Sequence, residues 1–194
     1  MYKELLESNC SVIEKMVSGE MAKNRFYVGS AKPSAVPRDS IIYRWWFPED
    51  SLVWETIVDF SKTDNELLAL LKQVSTLEIK GKTYYALYFG KSNNGRHRYS
   101  QHTTGNVHIS TLRHTIYGLC LGDKYEKARE DEISDILRDC YFEWVSFADE
   151  DYLVECVEGI CIALGKYPLN IDGNPAISES WRNVLMNKRK ITTV

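Results

Sequence analysis

Tyr88-Phe89-Gly90, followed by Arg98-Tyr99-Ser100-Gln101-His102, is the stretch on which the fold of this chain turns. The aromatic run Thr83 to Gly90 predicts a strand that stops at a glycine. Arg98 and His102 stand four residues apart, so a helix brings both out on one face, one turn above the other. Strand, polar glycine turn, and helix with a cation beside an imidazole make a site suited to a phosphate. Upstream, Ile41 to Phe47 is β-branched and aromatic and predicts another strand, ended by Pro48. Downstream, Glu150 to Leu164 predicts an apolar helix stopped by Gly165 and followed by Leu169-Asn170.

The remaining patterns place these pieces in one domain. The length of 194 residues suits a single core with an appended arm. Tyr2 to Met16 predicts an amphipathic helix, and Ser30 to Asp39 reads as a linker, so residues 1–39 are expected to form an arm and residues 40–194 the main domain. Short helices are expected over Leu52–Phe60 and Glu66–Val74, and a hairpin around Gly81. Further helices are expected near Arg96–Gln101, Ser110–Leu119, Tyr125–Asp139 and Ser178–Asn187, with a strand at Tyr141–Phe147. The order predicts an α+β fold, a small three-stranded, mainly antiparallel sheet flanked by helices. A helical insertion, about residues 48–75, separates the first two core strands.

A formal charge of −3 argues against coating nucleic acid through overall charge. A local basic face is still expected, because Lys91, Arg96, Arg98, Arg113 and His114 cluster while acidic residues gather at 126–135 and 149–158. Five cysteines without a zinc-spaced pair read as reduced thiols, and no signal or membrane-spanning pattern is seen, so a soluble, cytoplasmic protein is expected. Trp45-Trp46 reads as core rather than a stacking platform.

Ile41-Ile42-Tyr43, Tyr88-Phe89-Gly90, Arg98 to His102, Glu155 after Tyr152-Leu153-Val154, and Leu169-Asn170 together resemble, in order, the GIY-YIG nuclease family. Two departures stand out: Ile41 occupies the place of the first glycine, and the gap from Tyr43 to Tyr88 is several times the usual one. Phe26-Tyr27-Val28-Gly29 imitates the second half-motif, but Pro37 and Ile41 stand where the arginine and histidine should follow.

The resemblance implies a metal-dependent endonuclease acting on DNA, in which Tyr43, Tyr88, Arg98, His102, Glu155 and Asn170 form the catalytic set. Arg98 would hold phosphoryl oxygens, since a guanidinium binds two at once and keeps its charge. One phenol would serve or orient the general base; an unperturbed phenol titrates near ~10, so Lys91 or the metal would have to help it ionise. Glu155 would bind one Mg²⁺ or Mn²⁺, with Glu158, almost a turn later, competing for the role. Lys91 and Arg113 are expected to bind substrate. A restriction-type enzyme acting as a twofold homodimer is one form this implies; the alternative is a nucleic-acid-binding module that keeps the fold without cleavage. A protein-interaction domain is the third reading, and it requires the site residues to point to separate surfaces.

Overall fold

A computed structural model describes residues 2–122, 124–147 and 151–190. The expected helix start at Glu150 lies outside them, as does the side chain of Tyr152. The chain runs α1 (Tyr2–Lys23), β1 (Phe26–Tyr27), β2 (Ile41–Pro48), α2 (Leu52–Ser61), α3 (Asn65–Leu71), β3 (Thr76–Ile79) and β4 (Lys82–Ser92). It continues through α4 (Gly95–Thr104), α5 (Thr111–Ile116), α6 (Glu130–Arg138), β5 (Tyr141–Ser146), α7 (Asp151–Gly165) and α8 (Glu179–Lys190).

The sheet is antiparallel throughout, in the order β1-β5-β2-β4-β3. It has five strands rather than the expected three. β3 is the outer arm of the hairpin around Gly81, where Lys80 and Gly81 both take positive φ, 52° and 78°, as a tight primed turn requires. β1 is the Phe26-Tyr27 pair, two residues too few to show alternation in sequence, bonded at the outer edge to Phe142 and Tyr141. The pair that imitates a half-motif is thus an edge strand.

β2 is buried along its whole length because both faces of the sheet are covered. One face, carrying Ile41, Tyr43, Trp45 and Phe47, packs against α2 to α6 and α8 through residues such as Ile57, Leu67, Tyr99, Ile116, Leu137 and Trp181. The other, carrying Ile42, Trp46, Ala86 and Phe89, packs beneath α1 and α7 through Val17, Met21, Val154 and Ile162. Each such aliphatic or aromatic side chain, fully buried, stabilises by roughly 1.5–3 kcal/mol. Trp45 and Trp46 are core, as their neighbours predicted. All five cysteines are free thiols.

α2 and α3 occupy the stretch between β2 and β3, each started by a capping side chain, Ser51 and Asp64. The segment read as a linker makes specific contacts: the Gly95 and Arg96 amides donate to the carbonyls of Asp39 and Pro37, at 3.1 and 2.7 Å, and the Arg96 guanidinium donates to Val36 O. Residues 30–39 therefore seat the first turn of α4. That helix carries the residues on which the site is built. No helix among the described residues is long and apolar enough to cross a membrane.

Candidate active site

Tyr43 on β2 lies in register with Gly90 on β4. A Cβ at position 90 would fall 2.7 Å from the Tyr43 hydroxyl oxygen, so only glycine leaves room for that phenol beside the strand. Tyr88 lies two residues earlier on β4, its ring centroid 6.4 Å from that of Tyr43. The Asn94 side chain accepts the His97 amide at 3.0 Å and starts α4. The next turns deliver Arg98 and His102 toward the tyrosines.

His102 is almost wholly buried, 1 % exposed. Its Nε2 lies 2.8 Å from the Tyr43 hydroxyl and its Nδ1 2.7 Å from Ser110 Oγ. Ser110 also caps α5, accepting the Arg113 amide at 3.2 Å, so its own hydroxyl hydrogen is free for the imidazole. A polar chain therefore runs Ser110, His102, Tyr43 through the core and ends beside Tyr88. Burial, together with the Arg98 and Arg113 charges, holds the imidazole pKa well below its ordinary value, so His102 is neutral near pH 7.

The two phenols differ in what surrounds them. Burial raises both above the ordinary tyrosine value, Tyr43 far above. Arg189 and Arg98 both favour an ionised Tyr88, and Glu158 opposes it. Tyr88 is thus the member of the pair equipped to carry negative charge. The cations acting on it are Arg189 and Arg98, whereas Lys91, expected for that task, faces the glutamates.

Lys91 Nζ sits 2.8 Å from Glu155 and 3.5 Å from Glu158. The side chain of Glu155 is 76 % exposed and that of Glu158 19 %. It is Glu158 whose charge reaches both phenols, and burial raises its carboxyl pKa despite the lysine. Glu155, the expected residue, lies at the rim, its carboxylate held below its ordinary range by Lys91. A cleft of about 330 Å³ opens here, lined by Tyr88, Thr111, Glu155, Glu158, Asp172 and Arg189, among others.

Three further expectations need correction or refinement. Arg113 is 1 % exposed and its guanidinium donates to the carbonyls of His102 and Glu130 and to Ser134 Oγ, at 3.0, 2.7 and 3.0 Å. It is a strut between α4, α5 and α6 and offers nothing to substrate. Asn170 accepts the Phe89 amide at 2.9 Å and donates to the Phe89 carbonyl at 2.8 Å, so its amide pins the loop after α7 to β4 and acts through position rather than contact. Arg98 donates weakly to Ile109 O at 3.4 Å, and its Nε is buried with no protein partner. Arg113 Nε shares that state, so what sets Arg98 apart is its partial exposure and its charge acting on both phenols.

A family profile described as the GIY-YIG catalytic domain matches residues 41–191, from the start of β2 to the end of α8. This chain belongs to the GIY-YIG family. Nuclease activity in general follows from that membership. No curated protein and no solved structure matches the chain. Within the GIY-YIG framework, Ile41 replaces the first glycine without loss of packing. It is fully buried against Gly95, where a Cβ would meet its Cδ1 at 2.7 Å. The side chain gained at 41 is matched by one missing at 95.

Ser110 and Arg189 escaped the sequence reading. Ser110 was legible only as a helix start, and Arg189 only as part of the basic run Lys188-Arg189-Lys190. Neither pattern reveals that α5 begins and α8 ends beside the tyrosines.

Proposed function

We propose that this protein is a metal-dependent endonuclease that hydrolyses DNA phosphodiester bonds in the cleft beside Tyr88. The observation that carries this reading is the buried chain Ser110, His102, Tyr43, which ends against the Tyr88 ring, with the Arg98 charge acting on both phenols. A fully coupled polar chain in a core is costly unless it holds a group in one protonation and orientation state. Here it holds Tyr43 beside Tyr88, whose oxygen can orient a water and, once ionised with the help of the Arg189 and Arg98 charges, take that water's proton as negative charge builds on the phosphate. Arg98 meets that charge on the phosphoryl oxygens.

Among the described residues no three His, Cys, Asp or Glu side chains converge as a complete metal cage. Glu158 and Glu155 nevertheless flank an ammonium charge, that of Lys91, so the donor set suits a cation held by few carboxylates. Glu158 rather than Glu155 would be the main carboxylate for Mg²⁺ or Mn²⁺, since it faces the phenols. When bound, the ion supplies Lewis-acid stabilisation of charge on phosphate and leaving oxygens. One such site per protomer cuts one strand, so a double-strand break requires two protomers or two nicks. A restriction-type homodimer satisfies that requirement.

Supercoiled plasmid and mixed linear DNA, incubated with Mg²⁺ or Mn²⁺, test the proposal. Wild type should cut, Arg98→Ala and Glu158→Gln should not, and discrete fragments would mark a sequence-specific enzyme. Salt-sensitive binding by wild type with no turnover in either metal would replace the proposal with a binding module.

A further inference from the structure

The cleft beside Tyr88 is bordered by Glu155, Glu158 and Asp172, three carboxylates that a phosphodiester would have to approach. Arg98 acts on Tyr88 from α4 and does not line this cleft. Among the described residues lining it, the one cation is Arg189, from the last turn of α8.

Arg189 is half-buried and aimed from two sides. Its Nε donates to Thr115 Oγ1 at 2.8 Å, on the fully buried face of α5, and its Nη2 donates to Leu169 O at 3.3 Å, next to the residue that pins the loop to β4. A guanidinium so anchored is pre-organised, so less side-chain entropy is lost when it forms a further charge-assisted bond. Burial disfavours its charge, and Tyr88 and Asp172 favour it. A cation held over a carboxylate-lined cleft, beside the phenol that would attack through water, answers the repulsion a phosphate would otherwise meet.

We propose that Arg189 contacts a phosphate oxygen of a DNA backbone lying in this cleft, as a second guanidinium beside Arg98. The proposal rests on the cleft being the phosphodiester site. It makes the end of α8 a working part of the site.

Binding of a duplex in EDTA tests the contact apart from cleavage. Arg189→Gln should weaken binding by roughly tenfold, as expected for loss of one charge-assisted bond. The slope of log affinity against log salt should become shallower by about 0.9, the increment for one phosphate on B-DNA. Wild-type affinity and slope in an Arg189→Gln protein that melts like wild type would overturn the proposal. Because the substitution also removes the bonds to Thr115 and Leu169, arginine modification by phenylglyoxal on the unaltered protein supplies a second measurement. Duplex should shield Arg189, located by mass spectrometry, and equal modification with and without duplex would overturn the contact. Adding Mg²⁺ separates the two ideas: wild type that binds but never cuts removes the nuclease reading and leaves Arg189's contact standing. Wild type that does not bind duplex removes both.

Discussion

Arg44 and Arg98 serve opposite faces of the sheet, one fully buried and the other only partly, and they are treated in opposite ways. Arg44 on β2 is 4 % exposed, and its charge is met by Glu143, whose other oxygen takes a bond from Arg25 at 2.6 Å. Its guanidinium also reaches Tyr167 and Ser18, at 3.4 Å each, and lies over the Trp46 ring. Arg98, on the opposite face, has a weak bond to one carbonyl and a buried Nε without a partner. The difference teaches that incomplete pairing combined with partial exposure separates a guanidinium meant for a ligand from one meant for the fold.

The comparison breaks first at Glu143. Glu143→Ala leaves Arg44 buried without its carboxylate and should cost about 3–5 kcal/mol, read by denaturant unfolding. A loss below about 1 kcal/mol, the range of an exposed pair, would mean that Arg44 finds water and that the two arginines are not opposites. Next, Arg98→Ala should slow DNA cleavage by on the order of 10²–10³, the effect of losing one transition-state donor, while its melting temperature stays near that of wild type. A large loss of stability there would place Arg98 with Arg44.

The packing that surrounds Arg98 is also exposed to a smaller change. Gly95→Ala should destabilise by roughly 1–3 kcal/mol through overpacking against Ile41, and Ile41→Ala in the same chain should restore most of the loss. Failure of the second change to compensate would separate the two positions. His102 supplies a pH test. Its folded pKa lies well below the ordinary histidine value, so the unfolded chain binds the extra proton first. Stability is then complete above about pH 6.5 and declines as pH falls through the window below it, by no more than about 1.4 kcal/mol per pH unit for one proton. His102→Gln should flatten that decline in stability measured between pH 6.5 and 5. The smallest effect is expected at the rim: Glu155→Gln should retain most cleavage where Glu158→Gln abolishes it, and equal loss in both would put them on the same footing.

Much of this was legible because sheet and helix periodicities are local. Ile41 to Phe47 and Thr83 to Gly90 announce strands by composition, and Arg98 with His102 announce a shared helix face by spacing. What stayed hidden depends on packing between distant segments. The two-residue β1 has no pattern of its own and forms only because β5 offers an edge. Arg113 and Arg98 look alike in sequence, yet one is consumed by carbonyls of α4 and α6 and the other is not. Glu155 and Glu158 share a helix, and only the direction in which α7 faces β4 tells which carboxylate looks at Tyr88. Arg189 stands far from the motif in sequence and reaches it because α8 crosses behind α5.

Asn170 has one more consequence. β3 pairs with β4 only as far as Tyr85, which leaves the stretch from Ala86 onward without a strand on that side. The Leu169 amide bonds to Leu87 O at 3.0 Å, and the Asn170 side chain takes both polar groups of Phe89. The loop thus serves as a surrogate strand, closing a margin of backbone that another chain would otherwise recruit. The residue read from sequence as the end of the motif therefore also covers backbone that would otherwise lie open to a strand from a second copy.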